Sequence, residues 1–510
     1  MELLNVNIPN WSDMGNWIPE AVLCVGFLVA LIGDMVTRGK KPVVPFVISV
    51  FALVTAGSYA VAGLNNPGLA AGLPIMGDLV VVDGLAAFFR ILFIFAGLAT
   101  VLFAWTSEEI MGRKRENKGE FYALILMMTA AMMVMAEARD ILMLFLSMEA
   151  VGLVSYVMAG YMRTSLRSTE ASLKYVLFGA VSSAIMLYGL SLLYGMTGAM
   201  DFAGIRAALV SGPVNGFALL VVVVMIIAGM SYKIAAVPFH YWCPDIYEGA
   251  PTPVSAIFSV GPKAAGFALM IRFFYTTLAA GPDAAASVGI IHIINWPLLI
   301  AVISAVTMTY GNLVALRQSN VKRMLAYSSI AHVGYLLMGF LLLTPAGLQA
   351  ILFYLLVYTL MNLGAFFFVV AINNHLKSEE LDDYVGLGFR TPWAASMMVV
   401  FLASLTGIPP FAGFIGKFYL FTAVLDKEWF WLAILAALNS VVGLYYYFKV
   451  VKAMFFTTPL EGADTSPLKL HWLQYTVLAV LAIPTLVLGL YWGQFKDLAD
   501  QAIAAMTVGF

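Results

Sequence analysis

Apolar residues run along this chain in blocks of about 20, each long enough to cross a bilayer as a helix. Polar residues gather between the blocks. Fourteen spans are predicted, near residues 18–36, 43–63, 82–105, 120–137, 140–162, 172–196, 216–242, 252–275, 290–309, 324–343, 347–373, 393–425, 429–455 and 472–493. Proline interrupts the seventh and the twelfth. The pattern predicts an all-α integral membrane protein of about fourteen transmembrane helices. Composition agrees: 62% of residues are hydrophobic and 11% charged, against about 25% charged in a soluble domain.

The polar positions set an orientation, because cytoplasmic loops collect Lys and Arg. With the N-terminus outside, the inner loops hold seventeen of these residues, among them Arg38, Lys41, Arg113–Lys118, Arg323 and Lys452. The outer loops hold four: Arg139, Arg206, Lys427 and Lys496. Both termini are therefore expected outside. One inner loop, "CPDIYEGAPTP", has two acids and no base. No basic segment precedes a short apolar run at the N-terminus, so no cleaved signal peptide is expected.

The six remaining cations fall within spans: Arg90, Lys174, Lys233, Lys263, Arg272 and Lys417. Arg90 and Arg272 read as snorkelling toward an interface, and Glu20, Asp34 and Asp83 as interfacial. Lys233, Lys263 and Lys417 are too central for that. A charge at mid-bilayer costs about 2.5–3.5 kcal/mol on insertion scales. Glu149 alone cannot neutralise three lysines, so a purely static set of ion pairs is a poor account of them. An opposite charge about 7 Å away is worth roughly 2.4 kcal/mol at an effective dielectric near 20. Moving such a partner away would change whether a buried lysine holds its proton. Lys174, nearer an inner end, is a weaker member of the same set. His332 and His240 titrate near neutrality without large perturbation. His292, His375 and His471 lie near predicted ends and carry little information.

The chain also repeats. "LSMEAVGLVSYVMAGY" (146–161) is similar to "SSIAHVGYLLMGF" (328–340), with Glu149 set 183 residues before His332. Lys233 precedes Lys417 by 184. Spans 4–8 and 9–13 form two five-helix repeats, and an odd number of spans inverts the second copy. Inverted repeats with broken helices are a transporter signature. The breaks fall at Pro238 in span 7 and at Pro409 and Pro410 in span 12, where proline removes an amide donor. The expected divisions are an N-terminal three-helix segment (1–119), a first repeat (120–275), a second (290–455), each a proton half-channel, and a C-terminal helix (456–510).

Three motifs carry a resemblance. "PFHYWCPDIYEGAPTPVSAIFSVGPKAAG", "ALRQSNVKRMLAYSSIAHVGYLLMG" and "GIPPFAGFIGKFYLF" resemble segments of the antiporter-like subunits of respiratory complex I, the N-type members above all. The length, the fourteen spans, lysine at 417 and the lack of a long C-terminal amphipathic helix fit that type. The resemblance implies a membrane-arm subunit that moves protons while quinone is reduced elsewhere. It implies a relay through Glu149, Lys233, Lys263, His332 and Lys417, with Glu149 and Lys233 a coupled pair. It also implies neighbouring antiporter-like and small membrane subunits in the bacterial inner membrane, with flavin, iron–sulfur clusters and quinone in partner subunits. No cofactor or metal is expected in this chain: Cys24 and Cys243 cannot supply the roughly four ligands of an iron–sulfur cluster, and no G-x-G-x-x-G follows a strand. The rival readings are a subunit of an Mrp-type cation/proton antiporter working without redox input, and a membrane scaffold whose charges only hold it to its neighbours.

The loop charges generate a test. A reporter active only in the cytoplasm should stay silent at both termini and signal when placed in the 113–118 loop. A strong signal from either terminus overturns the orientation.

Overall fold

The computed structural model describes all residues except 1–12, 65, 67, 70, 71, 113–117, 213, 279–293, 459–465 and 508–510. Helices α1 (Ile18–Val36), α2 (Val43–Gly63) and α3 (Gly84–Thr106) come first. A short antiparallel hairpin, β1 (Leu73–Ile75) with β2 (Val80–Val82), leads into α3. There follow α4 (Gly119–Glu137), α5 (Ile141–Ala159), α6 (Leu166–Thr197), the pair α7 (Gly216–Ile234) and α8 (Trp242–Gly249), and α9 (Thr252–Thr277). The next set is α10 (Trp296–Ala315), α11 (Val321–Phe340), α12 (Pro345–Leu376), the pair α13 (Pro392–Thr406) and α14 (Ala412–Asp426), and α15 (Phe430–Phe456). Helices α16 (Trp472–Leu490) and α17 (Gly493–Thr507) end the described chain.

The two sets match in form. Continuous helices of 19, 19, 32 and 26 residues, broken before the last, are followed by 20, 20, 32 and 27, broken at the same place. The repeat and the discontinuous seventh and twelfth spans are thus features of the fold. Among the described residues, twelve helices are long and apolar enough, by length and composition, to cross a membrane. The remaining two predicted positions are occupied by α11 and by the α13–α14 pair. Helix α11 is long enough, but Lys322, Arg323, His332 and its serines dilute its apolar character. Helices α13 and α14 are 15 residues each. The ninth span starts six residues later than expected, where the Asn295 side chain accepts from the Leu298 amide and caps α10.

Helices α9 and α12 are the pillars. Helix α9 is enclosed along its whole apolar stretch and α12 along nearly all of it. They pack on each other, α9 also on α3, α4 and α7, and α12 also on α11, α13, α14 and α16. Helices α1 and α2 leave most of their surface outward. Helices α10 and α11 approach closely through two glycines. A Cβ at Gly311 would lie 2.6 Å from the Ala331 amide nitrogen, and one at Gly334 2.5 Å from that of Met308.

One expectation about the arginines fails: Arg90 and Arg272 do not snorkel but pair inside the protein, with Glu20 and Asp83 among their partners. All four are buried. Arg90 Nε donates to Glu20 Oε1 at 2.7 Å and to Glu137 Oε1 at 2.8 Å, and Nη2 donates to Glu20 Oε2 at 2.9 Å. Trp17 Nε1 adds a bond to Glu137 Oε2 at 3.2 Å. Arg272 grips both Asp83 oxygens at 2.8 and 3.0 Å and donates to the Ala136 carbonyl at 2.7 Å. The first cluster ties α1 to α3 and α4; the second ties α9 to the start of α3. Bidentate guanidinium geometry on a buried carboxylate explains why these are arginines. Asp34 is half-buried near the end of α1.

Removing one partner of such a pair leaves an uncompensated buried charge, at a cost of about 3–5 kcal/mol. Arg272→Met should therefore destabilise the subunit by that amount, whereas Arg272→Met with Asp83→Leu should recover much of it. Thermal unfolding of the purified subunit in its complex measures both; equal stability of the single variant and the native chain would dismiss the clamp.

Candidate functional site

Each break in a span leaves carbonyls without amide partners, and inside a bilayer these must be satisfied by protein or cavity water. At the first break, α7 ends in Ala235, which adopts the left-handed conformation with φ 62°. The Tyr232 carbonyl accepts from Trp242 Nε1 at 2.9 Å, and the Val237 amide donates to Thr307 Oγ1 at 3.0 Å. At the second, α13 ends at Gly407, φ 88°. There Ser404 Oγ accepts the Gly413 amide at 3.0 Å. Lys417 Nζ turns back to the Leu405 and Thr406 carbonyls at 3.1 and 2.9 Å. A cation at these carbonyls meets the negative end of the α13 dipole. Pro238 lies in the first crossing; Pro409 and Pro410 lie in the second, where they are exposed.

The buried polar groups form a broken line through both repeats. Ser183 on α6 donates to the half-buried Glu149 on α5. Lys233 Nζ donates to the Met148 carbonyl at 3.1 Å, one residue from Glu149. The expected Glu149–Lys233 couple is thus adjacent without a direct ion pair. The stem of Lys233 packs on Gly266, one turn along α9 from Lys263. Lys263 Nζ contacts Ser329 Oγ, lies 3.8 Å from Cys243 Sγ and stands 5.5 Å from the Tyr247 ring centroid. Ser328, next to Ser329, bonds the Tyr447 hydroxyl.

Tyr447 Oη is also 3.1 Å from His332 Nε2, and Tyr354 Oη is 2.6 Å from His332 Nδ1. A tyrosine hydroxyl both donates and accepts. Either imidazole tautomer is therefore satisfied, and the ring can take a proton at one nitrogen and release it at the other. Lys417 Nζ stands 4.7 Å from the Tyr335 ring centroid. The Tyr335 hydroxyl meets Ser440 at 3.2 Å and Asn312 at 3.5 Å.

Lys174 and His240 lie apart from this line. Lys174 bonds Glu170 and Asp245, each at 2.8 Å, with its side chain 38% exposed. Asp245 also takes Arg323 at 2.9 Å, and Arg323 reaches Glu248 at 2.7 Å. These groups rim an open cavity of about 190 Å³. His240 is buried against Tyr241 and Tyr310, ring centroids 4.5 Å from each, and its Nδ1 has no partner. His375 lies in the last turn of α12 and His471 caps α16; His292 lies outside the described residues. Sequence reasoning missed Ser183, Cys243, Ser328, Ser329, Tyr335, Tyr354 and Tyr447. The signal for two of them was present: Ser328 and Tyr335 stand at helical spacing from His332 on one face of α11.

Paired inverted halves, each broken beside a buried lysine, define a membrane transporter architecture. The chain belongs to the NADH:quinone oxidoreductase/Mrp antiporter membrane family, whose sequence profile matches residues 138–443. It is 42% identical over 489 residues to NADH-quinone oxidoreductase subunit N 2 of Chloroherpeton thalassium, covering 96% of this chain and 94% of that one. It is 44% identical over 495 residues to subunit N of an Anaeromyxobacter species, covering 93% of each. Among solved structures, it is similar to a chain of respiratory complex I from Thermus thermophilus with bound aureothin. That chain is 28% identical with a TM-score of 0.75, over 94% of this chain and 99% of the other. A chain of the Mrp complex from Dietzia sp., 22% identical over 97% of this chain and all of that one, shares the fold with a TM-score of 0.82.

Proposed function

We propose that the chain is a proton-translocating membrane-arm subunit of an NADH:quinone oxidoreductase. The observation that carries this reading is the placement of Lys233 and Lys417 at equivalent breaks, each ammonium held by backbone carbonyls, in a chain whose near-full-length relatives bear that name. Flavin, iron–sulfur clusters and quinone belong to partner subunits, and the chain's share of the translocase is proton movement. It sits multi-pass in the bacterial inner membrane beside another antiporter-like subunit and small membrane subunits. Both termini lie outside. Residues 120–275 and 290–455 act as two half-channels, flanked by the three-helix segment 1–119 and the C-terminal stretch 456–510.

The relay runs through Glu149, Lys233, Lys263, His332 and Lys417. A lysine bonded only to a carbonyl can give up its proton without breaking an ion pair, and the amine it leaves is neutral and therefore cheap to bury. His332 passes a proton between Tyr354 and Tyr447. Lys174, in the ion-pair cluster with Asp245, stands at the mouth rather than in the line and gathers protons at the inner face. His240 is a side member of the relay. Its unpartnered Nδ1 is the supporting observation.

Two tests follow from the geometry. Lys233→Ala or Lys417→Ala should abolish most NADH-driven proton pumping while the complex still assembles; native stoichiometry in either variant removes that lysine from the relay. Glu149→Gln should impair pumping and Glu149→Asp should retain part of it. If Glu149 and Lys233 act as a unit, Glu149→Gln with Lys233→Met is no worse than the worse single variant. Fully additive losses would separate them.

A further inference from the structure

Among the described residues, nothing covers one side of helix α15. Ile434, Leu438, Val441, Tyr445 and Phe448 are each more than half exposed. They stand three or four residues apart, so they form a single stripe along the helix. At 27 residues the helix is about 40 Å long, against roughly 30 Å for the hydrocarbon layer. Both its ends therefore reach headgroup level. Aromatic rings mark both: Trp429 and Trp431 at the start, 6.2 Å between ring centroids, and Phe448 and Phe456 at the end, 6.3 Å apart. Rings at both water interfaces are the mark of a surface that faces lipid.

At the end that the loop charges assign to the inner face, the stripe changes chemistry. The position that follows Phe448 along it is Lys452, which is exposed. Lys449, one turn earlier on the same face, reaches past the end of α10, where its Nζ donates to the Gln318 carbonyl at 3.3 Å. Arg317, the residue before Gln318, is exposed. Three cations from two parts of the chain thus gather at one edge. Among the described residues none of the three has an ion-pair partner. The acids of the turn Leu381–Tyr384, which packs on α15, lie to the other side of it. The Gly386 amide just beyond that turn bonds the carbonyl of the buried Ala453, and Asp383 accepts the Ser378 hydroxyl. Snorkelling accounts for one lysine at a helix end. It does not account for three unpaired cations together at the foot of an apolar stripe.

We propose that this edge binds an anionic phospholipid, its phosphate among Arg317, Lys449 and Lys452 and its acyl chains along the Ile434–Phe448 stripe of α15. Anionic headgroups of the inner leaflet present phosphate at the depth of these side chains. A free phosphate would satisfy the cations and leave the stripe bare. A neutral lipid would cover the stripe and leave the cations unpaired. An anionic phospholipid does both. The binding involves no proton movement and stands apart from the transport reading above.

The test uses the assembled complex in detergent, with a phosphatidylglycerol probe whose acyl chain carries a photoactivatable group. Cross-linked peptides should map to α15. Unlabelled phosphatidylglycerol should compete, and phosphatidylcholine and inorganic phosphate should not. Arg317→Gln, Lys449→Gln and Lys452→Gln together should cut cross-linking about tenfold or more, because each cation near an anionic headgroup is worth several-fold in binding. Lys40→Gln with Lys41→Gln, exposed in another loop of the same face, should leave it unchanged. Should the triple variant not assemble, Lys452→Gln alone should lower cross-linking several-fold. Equal capture of a phosphatidylcholine probe, competition by inorganic phosphate, native capture in the variants, or no α15 peptide because a neighbouring subunit covers the stripe would each overturn the proposal.

Discussion

Charge in this protein's interior is held by the backbone as much as by opposite charge. In hydrocarbon a carbonyl without a donor and an ammonium without an acceptor are both costly. The break between α13 and α14 solves both at once, since Lys417 caps the carbonyls that the break frees. Lys233 donates instead to a carbonyl within the continuous helix α5. A lysine bound by dipoles is restrained less tightly than one bound by a carboxylate, and it stays chemically available. The arginines show the other solution. Arg90 and Arg272 are locked in bidentate pairs, and they serve architecture.

The remaining packing keeps these two kinds of charge apart. Helices α9 and α12 are enclosed and carry or contact most of the relay groups, while the arginine clusters tie the first helices to their flanks. The close crossing of α10 and α11 through Gly311 and Gly334 fixes the height of His332 against its two tyrosines. The long, outward-facing stretches of α1 and α2 contribute little to the line.

Much of this was legible from residues alone. Apolar block length marked the helices, proline marked the breaks, and a lysine beside each break marked the site. The repeat was legible as a period because helix lengths are conserved between halves even where side chains differ. Pairing was not legible. Glu20 and Glu137 meet Arg90 across 70 and 47 residues of chain, and nothing in local sequence distinguishes a carboxylate at a helix end that faces water from one that faces an arginine. Tyr354 and Tyr447 carry no signal of their own in the sequence, and only the fold sets their hydroxyls on His332. Lys174, read within a span near its inner end, is set by the fold in a half-exposed ion-pair cluster.

The Arg90 cluster also constrains how the protein is made. Helix α1 leaves the ribosome with Glu20 unpaired, 70 residues before Arg90 is synthesised, and Glu137 follows another 47 later. The cluster is complete only once α4 has been made, and a chain cut short before it holds Arg90 with one acid in place of two.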